Sequence, residues 1–341
     1  MDVVVGINGL TTDDEIKPLV EAGAEEFYMG YIPEYWSGRF GWEIAPNRRP
    51  YHEYNYLSLE SLSAAKDSVK RFGKKALLAV NEHEYPPERM SEAVRMVREC
   101  VSLGFDAVII SNIALALEIR EAGIDVPFHI SIGGLVNNYE AVKFYKKHIP
   151  GIRRFILPRD LTVREIRSFA LKSKDDDISL EAFGVGDPCA WSDGYCLAWH
   201  SAGIAPFCSW FFTGDRKLTD LRSFFDWRDK IRSGDISFVD SVEPIKARAK
   251  FGGFKPSSER DDFLADIVRV CGLCAIPLFK KWGIDAIKVP ARGGEKRDAV
   301  IDLVTRAMAA ESPEECKALI GSEEFCAGSR CYYNYPSEKD V

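Results

Sequence analysis

The sequence predicts one α/β domain of the (β/α)8 type, a TIM-like barrel, regular or distorted. Three observations point to it. Short β-branched runs alternate with amphipathic stretches at helical spacing, the stretches close on glycine, and eight such runs can be counted. Alternation of this kind implies a parallel sheet covered by helices. The strands are expected at 3–7, 26–30, 76–80, 107–110, 127–130, 154–157, 179–183 and 286–290. Between them 91–103, 115–121 and 163–172 repeat apolar residues as helices do, and a last helix at 296–310 would close the ring. An open doubly wound sheet is the alternative, since strands alone do not prove closure.

A chain of 341 residues that is 46% hydrophobic can bury a large core, and the length is ordinary for one barrel. The barrel is expected over 1–311, with a cysteine-containing tail at 312–341. The opening MDVVVGINGL turns polar at once in TTDDE, without a basic segment or an apolar run long enough for export or spanning. A cytosolic protein with no membrane insertion is therefore expected. A net charge of -7 and a pI near 5.5 leave no global basic footprint for a polyanion, which weighs against nucleic acid.

Two long segments interrupt the alternation. Residues 31–56 (YIPEYWSGRFGWEIAPNRRPYHEYNY) follow the second strand and are dense in aromatics, prolines and arginines. A long ordered loop in a barrel is usually functional, and this one reads as a lid. Residues 187–269 form an insertion between strands seven and eight, with three cysteines and a run of aromatics.

Eight of the nine cysteines lie after residue 188. In a reducing cytosol, clustered thiols point to metal or redox chemistry rather than disulfides. The pattern is Cys189-x6-Cys196-x11-Cys208, then Cys271-x2-Cys274. Such dispersed thiols can hold an iron–sulfur cluster, suit zinc equally well, or simply lie buried. Cys100, between Val97 and Val101 on a helix, reads as core. Cys274, Cys316, Cys326 and Cys331 could make a second metal site or lie idle.

Several stretches together resemble peptidase family U32, the collagenase-like family that includes oxygen-independent hydroxylation proteins of ubiquinone synthesis and of RNA. VEAGAEEFYMG, NRRPYHEYNYLSLESL, FDAVIISNIALALEIREAGIDVPFHIS and RRFILPRDLTVREI are similar to successive family segments. The most specific is LEAFGVGDPCAWSDGYC, and CGLCAIPLFKKWGIDAIKVPARG resembles the family's last barrel strand. The resemblance implies a [4Fe-4S] cluster, with zinc as the alternative, held by Cys189, Cys196, Cys208 and Cys271, and the tail cysteines are expected to be dispensable for it. Val185 stands where the family has a histidine, so that histidine's role does not carry over. Asp193 is inserted before Gly194, and the approach to Cys208 departs from the family pattern.

In a barrel, chemistry belongs at the C-terminal strand ends. These are expected to present Asn8, Tyr28, Asn81, Ser111, Asn112, His129, Ser131, Arg159, Glu181, Lys288 and Arg292. Arg159 can grip a carboxylate bidentately and Lys288 adds a second cation, so an anionic small molecule is the expected ligand; surface ion pairs are the bland alternative. His129 could serve as general acid or base, or as a satisfied core histidine. Glu181 leads toward the cluster loop and could orient it or handle protons. His83 and His200 receive no role.

The resemblance implies hydroxylation with prephenate or a similar acid as oxygen donor, and a small aromatic acceptor is expected ahead of an RNA base on the grounds of acidity. A non-catalytic cluster-bearing subunit paired with a homologous protein is a further reading. Peptidase activity is not expected: no Gly-x-Ser-x-Gly elbow or His-Glu-x-x-His helix occurs, and a metal-bound thiolate is no free nucleophile.

Overall fold

The computed structural model describes residues 1–41, 44–49, 54–186, 194, 268, 270–290, 296–322 and 331–333. Eight parallel strands close into a barrel in chain order: β1 (Asp2–Gly6), β2 (Ala24–Gly30), β3 (Lys75–Val80), β4 (Ala107–Ile110), β5 (Phe128–Ile130), β6 (Ile152–Ile156), β7 (Ser179–Phe183) and β8 (Ala286–Val289). β8 returns to β1 with Val4 opposite Lys288, which excludes the open sheet. β2 and β6 begin earlier than the β-branched runs suggest, because Ala24 and Ile152 are already paired to neighbouring strands and buried.

The helices are α1 (Asp13–Glu21), α2 (Glu34–Phe40), α3 (Leu59–Arg71), α4 (Pro87–Ser102), α5 (Ile113–Glu121), α6 (Tyr139–His148), α7 (Val163–Lys172), α8 (Ile276–Trp282), α9 (Arg297–Ala309) and α10 (Pro313–Ile320). Local chemistry fixes their starts. Asn112 accepts from the Leu115 N–H at the head of α5. Thr162 and Glu165 form a reciprocal capping box at α7, with the Glu165 carboxylate 2.7 Å from the Thr162 N–H. α4 begins at Pro87, earlier than periodicity indicates, since proline suits a first turn whose N–H groups have no intrahelical acceptor.

Strand residues alternate between two cores. Phe27, Met29, Leu78, Val80, Phe128, Ile130 and Phe155 face outward into the core shared with the helices. Val4, Tyr28, Leu77, Ala79, Ala107, Ile109, Ile156, Phe183 and Ala286 fill the barrel interior. The same inward positions carry Glu26, His129, Arg154, Glu181 and Lys288, all buried. A charged layer thus replaces part of the apolar filling usual in this architecture.

The described part of segment 31–56 is a packed wall. Tyr31 pairs with Tyr56 in a short parallel bridge. Trp36 of α2 is buried, donates 2.5 Å to the Ile44 carbonyl, and meets Tyr85 edge to face. Tyr85 in turn donates to the Pro46 carbonyl at 2.6 Å. Gly9, after β1, touches this wall so closely that a Cβ there would run into the Asn55 carbonyl.

The tail expected at 312–341 starts as helix. α10 packs on α9 and on the turn Leu273–Ala275, burying Cys316 and Ile320. Farther on, Cys331 pairs with Cys271, and the Tyr333 hydroxyl donates 2.7 Å to the Phe183 carbonyl. The Tyr332 ring packs against Phe183 of β7, and the Tyr333 ring against Phe279 of α8. The insertion 187–269 falls, apart from Gly194 and Val268, outside the described residues. No described helix is long and apolar enough to cross a membrane.

Candidate anion-binding pocket

At the C-terminal mouth of the barrel, a pocket of about 660 Å³, counting its open side, is walled by side chains from several strands and from segment 31–56. Tyr28, Ile109, Ile156 and Phe183 give it an apolar floor, and Asn81 and Ser131 give it polar edges. Four cations converge on it: Arg48, Arg49, Arg159 and Lys288. The Arg159 guanidinium lies 5.5 Å from the Phe183 ring centroid, and the Lys288 ammonium 4.3 Å from that of Tyr28, both within cation–π range.

Arg48 is held in a costly conformation. Its φ of 60° lies in the left-handed region, which costs a residue with a Cβ about 1 kcal/mol. The flanking asparagines impose it. Asn47 Nδ2 donates 2.6 Å to Asn55 Oδ1, the Arg49 N–H donates 3.2 Å to Asn47 Oδ1, and Asn55 Nδ2 donates to the Arg49 carbonyl. Among the described residues, Nη2 of Arg48 is buried with no hydrogen-bond partner. Leaving a buried guanidinium nitrogen unmet costs free energy that an anionic ligand would recover.

Beneath the floor the charges form a chain. Lys288 Nζ donates 2.8 Å to Glu181 Oε1, and Glu181 Oε2 accepts from Arg154 at 3.2 Å. Arg154 also grips Glu26 bidentately at 2.6 and 2.8 Å, and Glu26 accepts from Lys75 at 2.9 Å. Burial alone would raise Glu26, but the Arg154 and Lys75 contacts outweigh it and hold the carboxyl at about 2. For Arg154 burial opposes the charge, yet Glu26 and Glu181 keep the guanidinium more firmly protonated than usual. His129 sits among these groups, pushed down to about 3 by burial and then by Arg154, so its imidazole is neutral near neutral pH.

Of the residues expected at the strand ends, Tyr28, Asn81, Ser131, Arg159 and Lys288 meet in the pocket. Glu181 lies directly below, on Lys288. His129 faces the barrel interior without lining the pocket, and among the described residues its buried Nδ1 has no hydrogen-bond partner. Asn8 is spent on the turn after β1, Asn112 on capping α5, and Ser111 on the Asn81 carbonyl at 3.2 Å. Arg292 and His200 lie outside the described residues, and His83 is not among the lining residues. Sequence reasoning passed over Asn47, Arg48 and Arg49, although NRR stands out within an aromatic segment. It also passed over Glu26 and Arg154, whose signal is a charge at an inward position of an otherwise buried strand.

Of the cysteines, Cys189, Cys196, Cys208 and Cys326 lie outside the described residues. Cys271 is buried in a short ladder between Val185 and Cys331, and Cys274 is buried in the turn that follows. Cys100 is core, as its helix position implies. Cys316 is core too: its sulfur lies 3.8 Å from the Ala307 carbonyl, and burial, with Glu315 and Glu314 nearby, pushes the thiol up to about 12. No three His, Cys, Asp or Glu among the described residues are placed to hold a metal ion, so Cys274, Cys316 and Cys331 do not form a second site by themselves.

Fold and site together define a (β/α)8 barrel protein with a cation-lined pocket at the strand C-termini. The chain belongs to peptidase family U32, whose model matches residues 12–314. It is 29% identical over 146 residues to the tRNA hydroxylation protein P of Escherichia coli (strain K12), covering 43% of this chain and 30% of that protein. The protein of the same name from Haemophilus influenzae is 28% identical over the same shares. An uncharacterized protease of Methanocaldococcus jannaschii is 30% identical over 141 residues, 41% of this chain and 32% of that one. The matched segments span about a third of these relatives' lengths.

Proposed function

We propose that this chain takes part in oxygen-independent hydroxylation, with the pocket holding a small carboxylated oxygen donor such as prephenate. The observation that carries the reading is the convergence of Arg48, Arg49, Arg159 and Lys288 on a floor of Tyr28 and Phe183. Cations at the rim suit carboxylates, and aromatic rings suit a flat or unsaturated carbocycle. Arg159 and Lys288 would anchor one carboxylate, while the buried Arg48 nitrogen offers a donor for a second. Asn81 and Ser131 would orient the ring substituents between them.

The names of two relatives favour a transfer-RNA base as acceptor, ahead of the free aromatic molecule that acidity suggests. The second reading keeps the small aromatic acceptor, favoured by the net charge of -7. A bound iron–sulfur cluster would supply electron transfer, and Cys189, Cys196, Cys208 and Cys271 are the residues proposed to hold it. Thiolates are the donors such a cluster takes, and Cys271, the one of the four within the described residues, is buried in the short ladder beside Val185 and Cys331. Calorimetry with prephenate tests the donor, and nucleoside mass spectrometry after anaerobic incubation with unmodified transfer RNA tests the acceptor. Absence of prephenate binding to the wild-type chain would remove the donor reading, and unmodified nucleosides would remove the RNA reading.

A further inference from the structure

We infer that Tyr332 is a positioning residue for the pocket: the tail docks on the end of β7 and, through the Phe183 ring, fixes where the Arg159 guanidinium meets an anion. For its ligand this rests on the reading of the pocket given above; its geometry does not. Two consecutive tail side chains hold one residue. The Tyr332 ring lies 5.9 Å from the Phe183 ring, and the buried Tyr333 hydroxyl donates 2.7 Å to the Phe183 carbonyl. Phe183 closes β7, lines the pocket, and carries the Arg159 guanidinium over its ring at 5.5 Å. Tyr332 is not among the lining residues, so its effect on a ligand passes through Phe183.

Backbone and packing anchor the tail before Tyr332 acts. The Tyr332 N–H donates 2.8 Å to the Cys271 carbonyl, and the Gly272 N–H donates 2.7 Å to the Gly184 carbonyl, so Cys271 and Gly272 bridge the tail to the residues just past β7. A Cβ at Gly272 would lie 2.6 Å from the Tyr333 ring, so a larger residue there would displace the tyrosine. Tyr333 packs edge to face on Phe279 of α8 at 5.1 Å. Held on both sides, Tyr332 packs against the apolar barrel interior to which Phe183 belongs. A phenylalanine at a strand end has staggered alternatives at χ1, and a fixed ring beside it removes those that would carry it into the same space. Arg159 then rests on the ring position that remains, because a guanidinium is drawn to the negative face of an aromatic ring.

The test uses the full chain. Prephenate affinity is measured by calorimetry for wild type, Tyr332→Ala, Tyr332→Phe, Arg159→Ala and the double variant Tyr332→Ala with Arg159→Ala, with melting curves on the same samples. The expected result is a loss on the order of fivefold to tenfold in Tyr332→Ala, about what one aromatic or cation–π contact is worth. Tyr332→Phe should bind like wild type, because the ring and not the hydroxyl acts. In the Arg159→Ala background Tyr332→Ala should cost little further affinity, since residues that act through one contact are not additive. A second measurement needs no ligand. In proton–nitrogen NMR the Arg159 Nε–H signal, assigned by its loss in Arg159→Lys, is displaced by the Phe183 ring; Phe183→Leu gives the undisplaced position, and Tyr332→Ala should move the signal toward it. If Tyr332→Ala melts too low to assay, Tyr332→Leu, which keeps apolar bulk without the ring, takes its place. Unchanged affinity in Tyr332→Ala, the same loss repeated in the Arg159→Ala background, or a Tyr332→Phe as weak as Tyr332→Ala would overturn the inference. A wild type that does not bind prephenate removes the oxygen-donor reading and leaves the NMR signal to decide: an Arg159 signal that Tyr332→Ala does not move overturns the inference, and one that moves as expected upholds it.

Discussion

The Lys288 ammonium donates 2.8 Å to one oxygen of Glu181 while Arg154 donates 3.2 Å to the other, so a single buried carboxylate neutralises two buried cations. Removing it leaves Lys288 without its carboxylate and takes one contact from Arg154, which keeps its two to Glu26. Glu181→Gln is expected to lower unfolding free energy by about 3 to 5 kcal/mol, read by denaturant titration. Adding Lys288→Met should recover part of the loss, because the ammonium left without its carboxylate is then gone. A Glu181→Gln variant as stable as wild type would show that the chain of charges is not strongly coupled.

Acid should unfold the protein through the same layer. Glu26 is held at about 2 against an ordinary 4.5, so its contribution is full above pH 4.5 and is lost as pH falls through 2. His129 is held at about 3 against 6.5, so the unfolded chain takes up its proton first, and stability again falls with pH, between 6.5 and 3. The expected curve declines from about pH 6.5 downward. His129→Gln should flatten the upper part of that decline and Glu26→Gln the lower, as measured by stability at stepped pH.

Arg48 and Arg159 should differ in what their loss does. Arg159→Ala is expected to weaken prephenate binding on the order of tenfold to a hundredfold with little change in stability. Arg48→Gly should weaken binding similarly but hold or raise stability, since glycine adopts a φ of 60° without strain. Calorimetry and thermal melts on the same samples separate the two. Unchanged affinity in both variants would remove these arginines from the ligand's contacts.

Gly9 sets the position of the arginine-bearing wall. In Gly9→Ala the added methyl meets the Asn55 carbonyl, so the Asn47–Asn55 pair that shapes Arg48 must shift. The expected outcome is a cost of about 1 to 3 kcal/mol together with weaker ligand binding. Binding equal to wild type would show that the wall absorbs the methyl without moving Arg48.

The barrel was legible because period and polarity agree along nearly every element: α7 occurs at 163–172 as periodicity indicates, and β4 and β7 at 107–110 and 179–183. Arg159 and Lys288 were legible for the same reason, since a cation just past or at the end of a buried run has few places to go but the mouth. Arg48 was not, because its role depends on a side-chain clasp between Asn47 and Asn55 and on a backbone conformation that no periodicity announces. Arg154 was hidden beside Arg153: one faces solvent and one the barrel axis, and only register tells them apart. The pairing of Cys331 with Cys271 rests on a bridge between distant segments, which spacing cannot encode.

The charged layer also restricts how this sequence can change. Positions 26, 154, 181 and 288 carry alternating signs in one connected, enclosed set, so neutralising or reversing any one leaves a partner unbalanced. Drift at these sites must proceed by paired replacement, or not at all. An engineer grafting new chemistry onto this barrel would have to transplant the four as a block, whereas an apolar interior position beside them that does not line the pocket, such as Leu77, can be exchanged singly for a residue of like volume.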